Sequence, residues 1–294
     1  MANNTIAVIA DCDETLAPDT TEQLLKAFKV DPEPFFKKDV PSLIKNGFDP
    51  CLAYLHQIIS LTQDNGPLVE LTKEKIIEVG KNLEFYEGIP ENFGILKQEI
   101  EETKAYKEIG IRVQFYVVSS GIEELLLASK LNQQNIINGI FGCSFFYDEK
   151  GHIICLKRVI SFTDKTRYLF LIQKGRAGED YRNRPYIVNE PMETENRPIP
   201  FCNMIYLGDG PSDIPCMSLL QSQPADDRGY VIGILSKNKP FKSWALGYGR
   251  RANITVPQGF SKDSHGFNQL REALINTAEE IKRRNISRKP IPEF

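Results

Sequence analysis

Short runs of apolar and β-branched residues recur along the chain, and several of them end in polar residues. Such runs, four to eight residues long, are typical of strands buried on both faces of a parallel sheet. The runs that predict strands are Thr5 to Ala10, Val113 to Val118, Asn203 to Leu207, Tyr230 to Leu235 and Ile254 to Val256. Because stretches with helical apolar spacing lie between them, the pattern predicts an α/β fold with a parallel central sheet.

A helical segment separates the first two strands. Capping-type residues and helical apolar spacing predict helices at Thr20–Phe28, Pro50–Ile59 and Lys73–Val79. About 100 residues separate Asp13 from Ser119, whereas one crossover between parallel strands needs only a few tens. The surplus predicts an insertion over residues 19–85, after which Pro90 starts the helix that leads to the second strand.

Two carboxylates, Asp11 and Asp13, follow the first strand directly. Ligands bind at the carboxyl ends of strands in open α/β sheets. Neighbouring carboxylates repel each other unless a hard cation such as Mg²⁺ lies between them. One carboxylate could then attack phosphorus, while the other transfers protons. The alternative is an acidic turn that caps the next helix.

The second strand ends in Ser119-Ser120-Gly121, just before a predicted helix. Hydroxyls and backbone N–H groups at such a point can bind an anion. The alternative is that one serine only caps the helix.

The third strand runs into Gly208-Asp209-Gly210-Pro211-Ser212-Asp213. Asp209 would complete the protein ligands of the metal, and Asp213 could orient a metal-bound water or a lysine. Glycines here would let the backbone approach a ligand closely. The same sequence also occurs as an ordinary loop.

Together with a lysine between the second and the last of them, these three motifs resemble the four ordered motifs of the haloacid dehalogenase-like (HAD) hydrolase superfamily, over roughly residues 5 to 220. The resemblance implies a Rossmann-like three-layer core with a parallel central sheet and a small helical cap domain. It also implies site roles: Asp11 as nucleophile, Asp13 as general acid and base, and a phosphate-binding group of Ser119, Ser120, Gly121 and a lysine. The implied Mg²⁺ ligands are Asp11, Asp13 through its carbonyl, Asp209 and Asp213.

Three lysines lie between the second and last motifs: Lys157, Lys165 and Lys174. Lys165 is preferred, because Ser161 to Asp164 reads as the start of a helix and Lys165 would lie in its first turn, facing the site. Lys157 falls in an alternating run, which favours an exposed strand lysine.

Members that hydrolyse phosphate esters carry an acid at the position of Asp13, and dehalogenases lack one. Residues 1–18 and 86–294 would form the core, and residues 19–85 would form a C1-type cap. The resemblance is nearest to the phosphoserine phosphatase-like branch, although Glu14 replaces the glycine that is usual there.

The expected activity is Mg²⁺-dependent hydrolysis of a small phosphorylated metabolite through an aspartyl-phosphate. An intramolecular phosphomutase, or a sensor that binds a phosphorylated ligand without turnover, are the alternatives. A net charge of −3 argues against a nucleic-acid partner. Apolar runs far shorter than the ~20 residues of a spanning helix argue against a membrane protein, and the lack of a signal peptide favours a cytoplasmic location.

Two features remain open in the sequence. The polar stretch over residues 174–201 reads as a surface loop, or as a flap whose Arg176, Arg182 and Arg184 could meet an anionic substrate. The substrate and the oligomeric state do not follow from the sequence.

Overall fold

The computed structural model describes residues 3–63, 65–178, 180–236 and 251–287. In this part of the chain seven strands form one sheet: β1 (Thr5–Ala10), β2 (Arg112–Ile122), β3 (Ile137–Tyr147), β4 (Ile153–Arg158), β5 (Met204–Gly208), β6 (Tyr230–Leu235) and β7 (Ile254–Pro257). Their order is β4-β3-β2-β1-β5-β6-β7. Neighbouring strands are parallel except at the antiparallel β3–β4 pair.

Helices cover both sides of the sheet. They are α1 (Thr20–Ala27), α2 (Pro32–Pro34), α3 (Val40–Lys45), α4 (Pro50–Leu61), α5 (Lys73–Lys81), α6 (Glu91–Glu102), α7 (Lys104–Lys107), α8 (Glu123–Ala128), α9 (Lys130–Gln133), α10 (Asp164–Gln173), α11 (Asp180–Asn183), α12 (Ile214–Gln221) and α13 (His265–Ser287). A π-helical turn, Phe35–Asp39, joins α2 to α3. The predicted α/β fold with a parallel central sheet is confirmed, and the sheet is mostly parallel because β4 pairs antiparallel with β3.

Strand β2 is longer than the apolar run predicts. It continues through Ser119 to Gly121 and ends at Ile122, so that this motif belongs to the last residues of the strand. Helix α8 begins directly afterwards, and its N-cap residue Ile122 makes no side-chain hydrogen bond. The interpretation of a serine as the N-cap of this helix is therefore wrong.

The helical segment between β1 and β2 packs tightly on the rest of the chain. Helix α5 packs closely on α8. A Cβ added to Gly80 in α5 would lie only 2.5 Å from the Leu125 carbonyl oxygen in α8. The first residue of α5 reaches the β3–β4 turn, where the Lys73 N–H donates to the Gly151 carbonyl at 2.8 Å. The segment therefore rests on both α8 and the hairpin.

The stretch from Lys174 to Phe201 is held by buried apolar residues, in contrast to an ordinary polar loop. The Tyr181 ring packs edge-on against Phe141 and Tyr168. Two of its arginines pair with acids: Arg182 with the buried Glu123 at 2.9 Å, and Arg184 with Glu190. These ion pairs give Arg182 and Arg184 structural contacts within the fold.

None of the helices in the described ranges combines the length and the apolar character that crossing a bilayer requires.

Candidate active site

The three motif-bearing strands lie side by side, with β1 between β2 and β5. In the strand register, Ala10 lies opposite Val117 on one side and Leu207 on the other. The backbone continues this pairing, since the Asp11 N–H donates to the Leu207 carbonyl at 2.9 Å. The polar residues at the ends of the three strands are therefore brought to one edge of the sheet.

Lys165 links two of the carboxylates at this edge. Its Nζ lies 2.9 Å from Asp11 Oδ2 and 2.8 Å from Asp213 Oδ1, and the lysine side chain is fully buried. Helix α10 places it there, because Lys165 lies in the first turn of that helix. A buried ammonium is stable only where carboxylates compensate its charge, as these two do.

Both carboxylate oxygens of Asp213 accept hydrogen bonds. Oδ1 accepts from Lys165 Nζ and from the Tyr206 hydroxyl, each at 2.8 Å. Oδ2 accepts from the backbone N–H groups of Asp209 and Gly210, both at 3.1 Å. Four donors occupy the roughly four acceptor positions of a carboxylate. The carboxylate also lies so close to Gly208 that a Cβ there would meet it at 2.6 Å.

The cluster has the composition of a site for a hard cation. One carboxylate oxygen from each of Asp11, Asp209 and Asp213 lies within 4.8 Å of the others, and all three residues are buried. Lys165 supplies one positive charge against these three acids, so a buried negative excess remains that a divalent cation would neutralise. Oxygen ligands are those that Mg²⁺ prefers. The carboxylate of Asp13 lies outside this group. The atom of Asp13 that was predicted to bind the metal is its backbone carbonyl oxygen.

Asp13 is held between the start of α1 and the end of β2. Its Oδ1 accepts from the Thr20 N–H at 2.7 Å. A Cβ on Gly121 would lie 2.9 Å from its Oδ2 and 3.2 Å from Ser119 Oγ. Burial raises the pKa of Asp13 to about 7, with further contributions from the charges of Asp19 and Asp11. At neutral pH this carboxyl group can therefore both give and accept a proton.

Burial and neighbouring charges also shift the pKa values of Asp11 and Lys165. Burial and the charge of Asp213 raise the pKa of Asp11, Lys165 opposes both effects, and the resulting pKa is about 6. Burial acts to lower the pKa of Lys165, but the charges of Asp11 and Asp213 outweigh it and the pKa is raised. Lys165 is therefore cationic at every physiological pH.

The end of β2 is close to this group. Ser119 is buried, and its Oγ accepts from the Gly121 N–H at 2.9 Å. The Ser120 carbonyl accepts from Cys143 Sγ at 3.1 Å and from the hydroxyl of Tyr54 in helix α4. A side chain of the helical segment thus contacts the predicted phosphate-binding residues directly.

The two rival lysines lie elsewhere. Lys157 is exposed on the edge strand β4. Lys174 donates to the carbonyls of Val188 and Glu190, both at 2.6 Å, and so holds the segment that follows α10. Among the three candidates, Lys165 is the one beside Asp11.

Several residues at this edge were not predicted from the sequence. Tyr206 contacts Asp213, Thr20 contacts Asp13, and Tyr54 contacts Ser120. The only sequence signal for any of them is the capping-type start of α1, which includes Thr20. Tyr206 and Tyr54 give no such signal, because an apolar strand and an amphipathic helix both contain tyrosine for packing alone.

No family model matches the chain. A protein of Borreliella burgdorferi, described only as uncharacterized, is 26% identical over 293 residues, which cover 92% of this chain and 97% of that protein. A probable phosphoserine phosphatase from Vibrio cholerae superposes with a TM-score of 0.54 at 12% identity, covering 96% of this chain and 68% of that one. A HAD family hydrolase from Salmonella enterica serovar Typhi gives 0.52 at 12% identity, covering 86% and 67%. These likenesses show that the chain has the HAD-like fold.

Proposed function

We propose that this chain, which has the HAD-like fold, is a phosphatase that hydrolyses a small phosphomonoester through a phosphorylated Asp11. The observation that carries the proposal is the buried group in which Lys165 lies 2.9 Å from Asp11 and 2.8 Å from Asp213. A binding protein has no need of a carboxylate nucleophile beside an acid whose pKa lies near 7.

In the proposed reaction, Asp11 attacks phosphorus, and Asp13 protonates the leaving oxygen. Asp13 then takes a proton from the water that hydrolyses the phosphorylated Asp11. Lys165 offsets the negative charge of the phosphoryl oxygens. These oxygens also accept hydrogen bonds from hydroxyl and backbone N–H groups of the Ser119-Ser120-Gly121 stretch. The elevated pKa of Asp13 supports its double role, because its protonated and ionised forms are both populated near neutral pH.

A divalent cation fits the carboxylate group at this site. Asp11, Asp209 and the carbonyl of Asp13 would hold Mg²⁺, which would supply positive charge to the phosphoryl oxygens. Asp213 was predicted as a further ligand, but its four hydrogen bonds favour a different role. We assign Asp213 the role of orienting Lys165 and the turn that carries Asp209.

The helical segment over residues 19–85 would serve as a C1-type cap that covers the site and selects the substrate. The contact of Tyr54 with the Ser120 carbonyl supports this assignment. A lid of this kind favours small phosphorylated metabolites over phosphoproteins.

The test is phosphate release from p-nitrophenyl phosphate and a panel of metabolite phosphates, with and without Mg²⁺. Wild type and Asp11→Asn are compared with Asp31→Asn as a control. Asp31 caps the exposed helix α2, and asparagine caps helices equally well. Turnover that requires Mg²⁺, is abolished in Asp11→Asn and is unchanged in Asp31→Asn is expected.

Other outcomes separate the alternatives. Conversion of a sugar phosphate to its isomer without phosphate release would make the enzyme a phosphomutase. Tight binding of phosphorylated ligands by the wild type, without turnover of any compound, would make it a sensor and refute the proposal.

A further inference from the structure

Glu14 has an unusual backbone conformation for a residue with a side chain. It lies between Asp13 and Thr15 with φ +61°, in the left-handed region that favours glycine. Its N–H donates to the Ala17 carbonyl at 2.7 Å, which closes the turn after β1. A glycine would form the same turn without steric cost. The surrounding structure must therefore hold Glu14 in this conformation, and the contacts of its side chain show how.

The Glu14 carboxylate is buried and accepts several hydrogen bonds on one oxygen. Oε2 accepts from Ser236 Oγ at 2.7 Å, from Gln258 Nε2 at 2.9 Å and from the Tyr86 hydroxyl at 3.4 Å. Gln258 Nε2 also donates to the Glu14 backbone carbonyl at 2.8 Å. One side chain thus joins the turn after β1 to three separate parts of the fold.

These three parts surround the site. Ser236 follows β6 and Gln258 follows β7, so both lie at the carboxyl edge of the sheet. Tyr86 lies where the chain returns from the helical segment, and its N–H donates to the Leu16 carbonyl at 2.9 Å. Tyr86 therefore contacts the turn after β1 through both its backbone and its side chain.

We propose that Glu14 is a positioning residue that fixes the turn carrying Asp11 and Asp13 against the ends of β6 and β7 and against Tyr86. The inference rests on the proposed phosphatase function. Asp13 is adjacent to Glu14 in the chain, so a rotation of the turn at Glu14 displaces the acid relative to Asp11. Displacement of a catalytic group by about 1 Å can cost about 100-fold in rate.

The test compares Glu14→Ala, Glu14→Gly and Glu14→Gln. The glycine variant removes the steric cost of the left-handed turn and the alanine variant does not, so a loss of activity shared by both comes from the missing carboxylate. The glutamine variant keeps a carbonyl oxygen that can accept at the position of Oε2. We expect kcat to fall about 10- to 100-fold in the alanine and glycine variants, with KM within about threefold of wild type. Glutamine should restore most of kcat.

Hydrogen exchange of residues 11–17 gives a readout that needs no turnover. The backbone amides of this turn should exchange at least about tenfold faster in the alanine and glycine variants and at the wild-type rate in glutamine. Unchanged exchange in Glu14→Ala would overturn the inference. A kcat of Glu14→Ala that stays within twofold of the wild-type value, measured well below the unfolding temperature of the variant, would also overturn it. A wild type without turnover would instead refute the phosphatase function, and the exchange comparison would still decide whether Glu14 fixes the turn.

Discussion

Replacement of Asp213 by asparagine tests the arrangement around Lys165. Asp213 accepts four hydrogen bonds, two on each oxygen. An asparagine keeps one oxygen, so its NH₂ group faces either the two backbone N–H groups or the Lys165 and Tyr206 donors. Either orientation leaves two buried donors without an acceptor, at about 1–3 kcal/mol each.

One effect opposes this loss. The charge of Asp213 raises the pKa of Asp11, so removing that charge relieves a repulsion of about 1 kcal/mol. The expected net loss in the free energy of unfolding is about 1–5 kcal/mol, which shifts the urea midpoint by about 1 M for a chain of this size. We also expect kcat to fall at least about tenfold, because Lys165 loses one of its two ion-pair partners.

Asp148→Asn is the matched control. Its Oδ1 accepts from the Lys150 and His152 N–H groups at 2.9 and 2.8 Å, but the side chain is 39% exposed. Water can replace either bond there, so a change below about 1 kcal/mol is expected. Equal urea midpoints for wild type and Asp213→Asn would refute the reasoning. A Mg²⁺ half-saturation raised more in Asp213→Asn than in Asp209→Asn would assign Asp213 to the metal instead.

Three further outcomes follow from the site. The raised pKa of Asp13 means that the folded state binds more protons than the unfolded state between pH 3.8 and about 7, so this stabilisation is present at low pH and is lost as the pH rises through 7. In urea unfolding of the metal-free protein, the change that Asp13→Asn makes to the free energy of unfolding should therefore be more favourable by about 1–3 kcal/mol at pH 8 than at pH 5. An equal change at both pH values would contradict the raised pKa of Asp13. Gly121→Ala should lower kcat at least about tenfold, because its Cβ would lie 2.9 Å from Asp13 Oδ2, whereas Gly178→Ala, with nothing within 4 Å, should not. Tyr54→Phe should raise KM about three- to tenfold through loss of the bond to the Ser120 carbonyl, while Tyr186→Phe, at a side chain 79% exposed, serves as the unaffected control.

Much of the fold follows from local patterns that need no tertiary information. Strand β1 has the bounds that its apolar run predicts, and β6 begins and ends where predicted. Helix α10 starts at Asp164, so that Lys165 lies in its first turn as expected. These elements are predictable because burial on both faces of a strand and capping at a helix start leave clear residue patterns.

The end of β2 shows where local patterns are insufficient. A serine before a helix is a good N-cap by propensity, yet Ser119 stays in the strand and accepts from Gly121. The pairing of β2 with β3, in which Ile122 lies opposite Cys143, extends the strand beyond its apolar run. Neighbouring strands, which the local sequence does not specify, therefore overrode the local preference.

The sequence by itself determined which chemical groups the chain carries and that they lie at the ends of three buried strands. Only the tertiary structure decided how they combine, because the contacts of Lys165 with Asp213 and of Glu14 with Gln258 join residues 48 and 244 positions apart. Contacts over such separations depend on strand order and on the packing of whole elements, and these leave no trace in the residues next to either partner. For the same reason, local patterns could favour Lys165 over Lys157 and Lys174 but could not show its partners, and it is the tertiary structure that buries Lys165 beside Asp11.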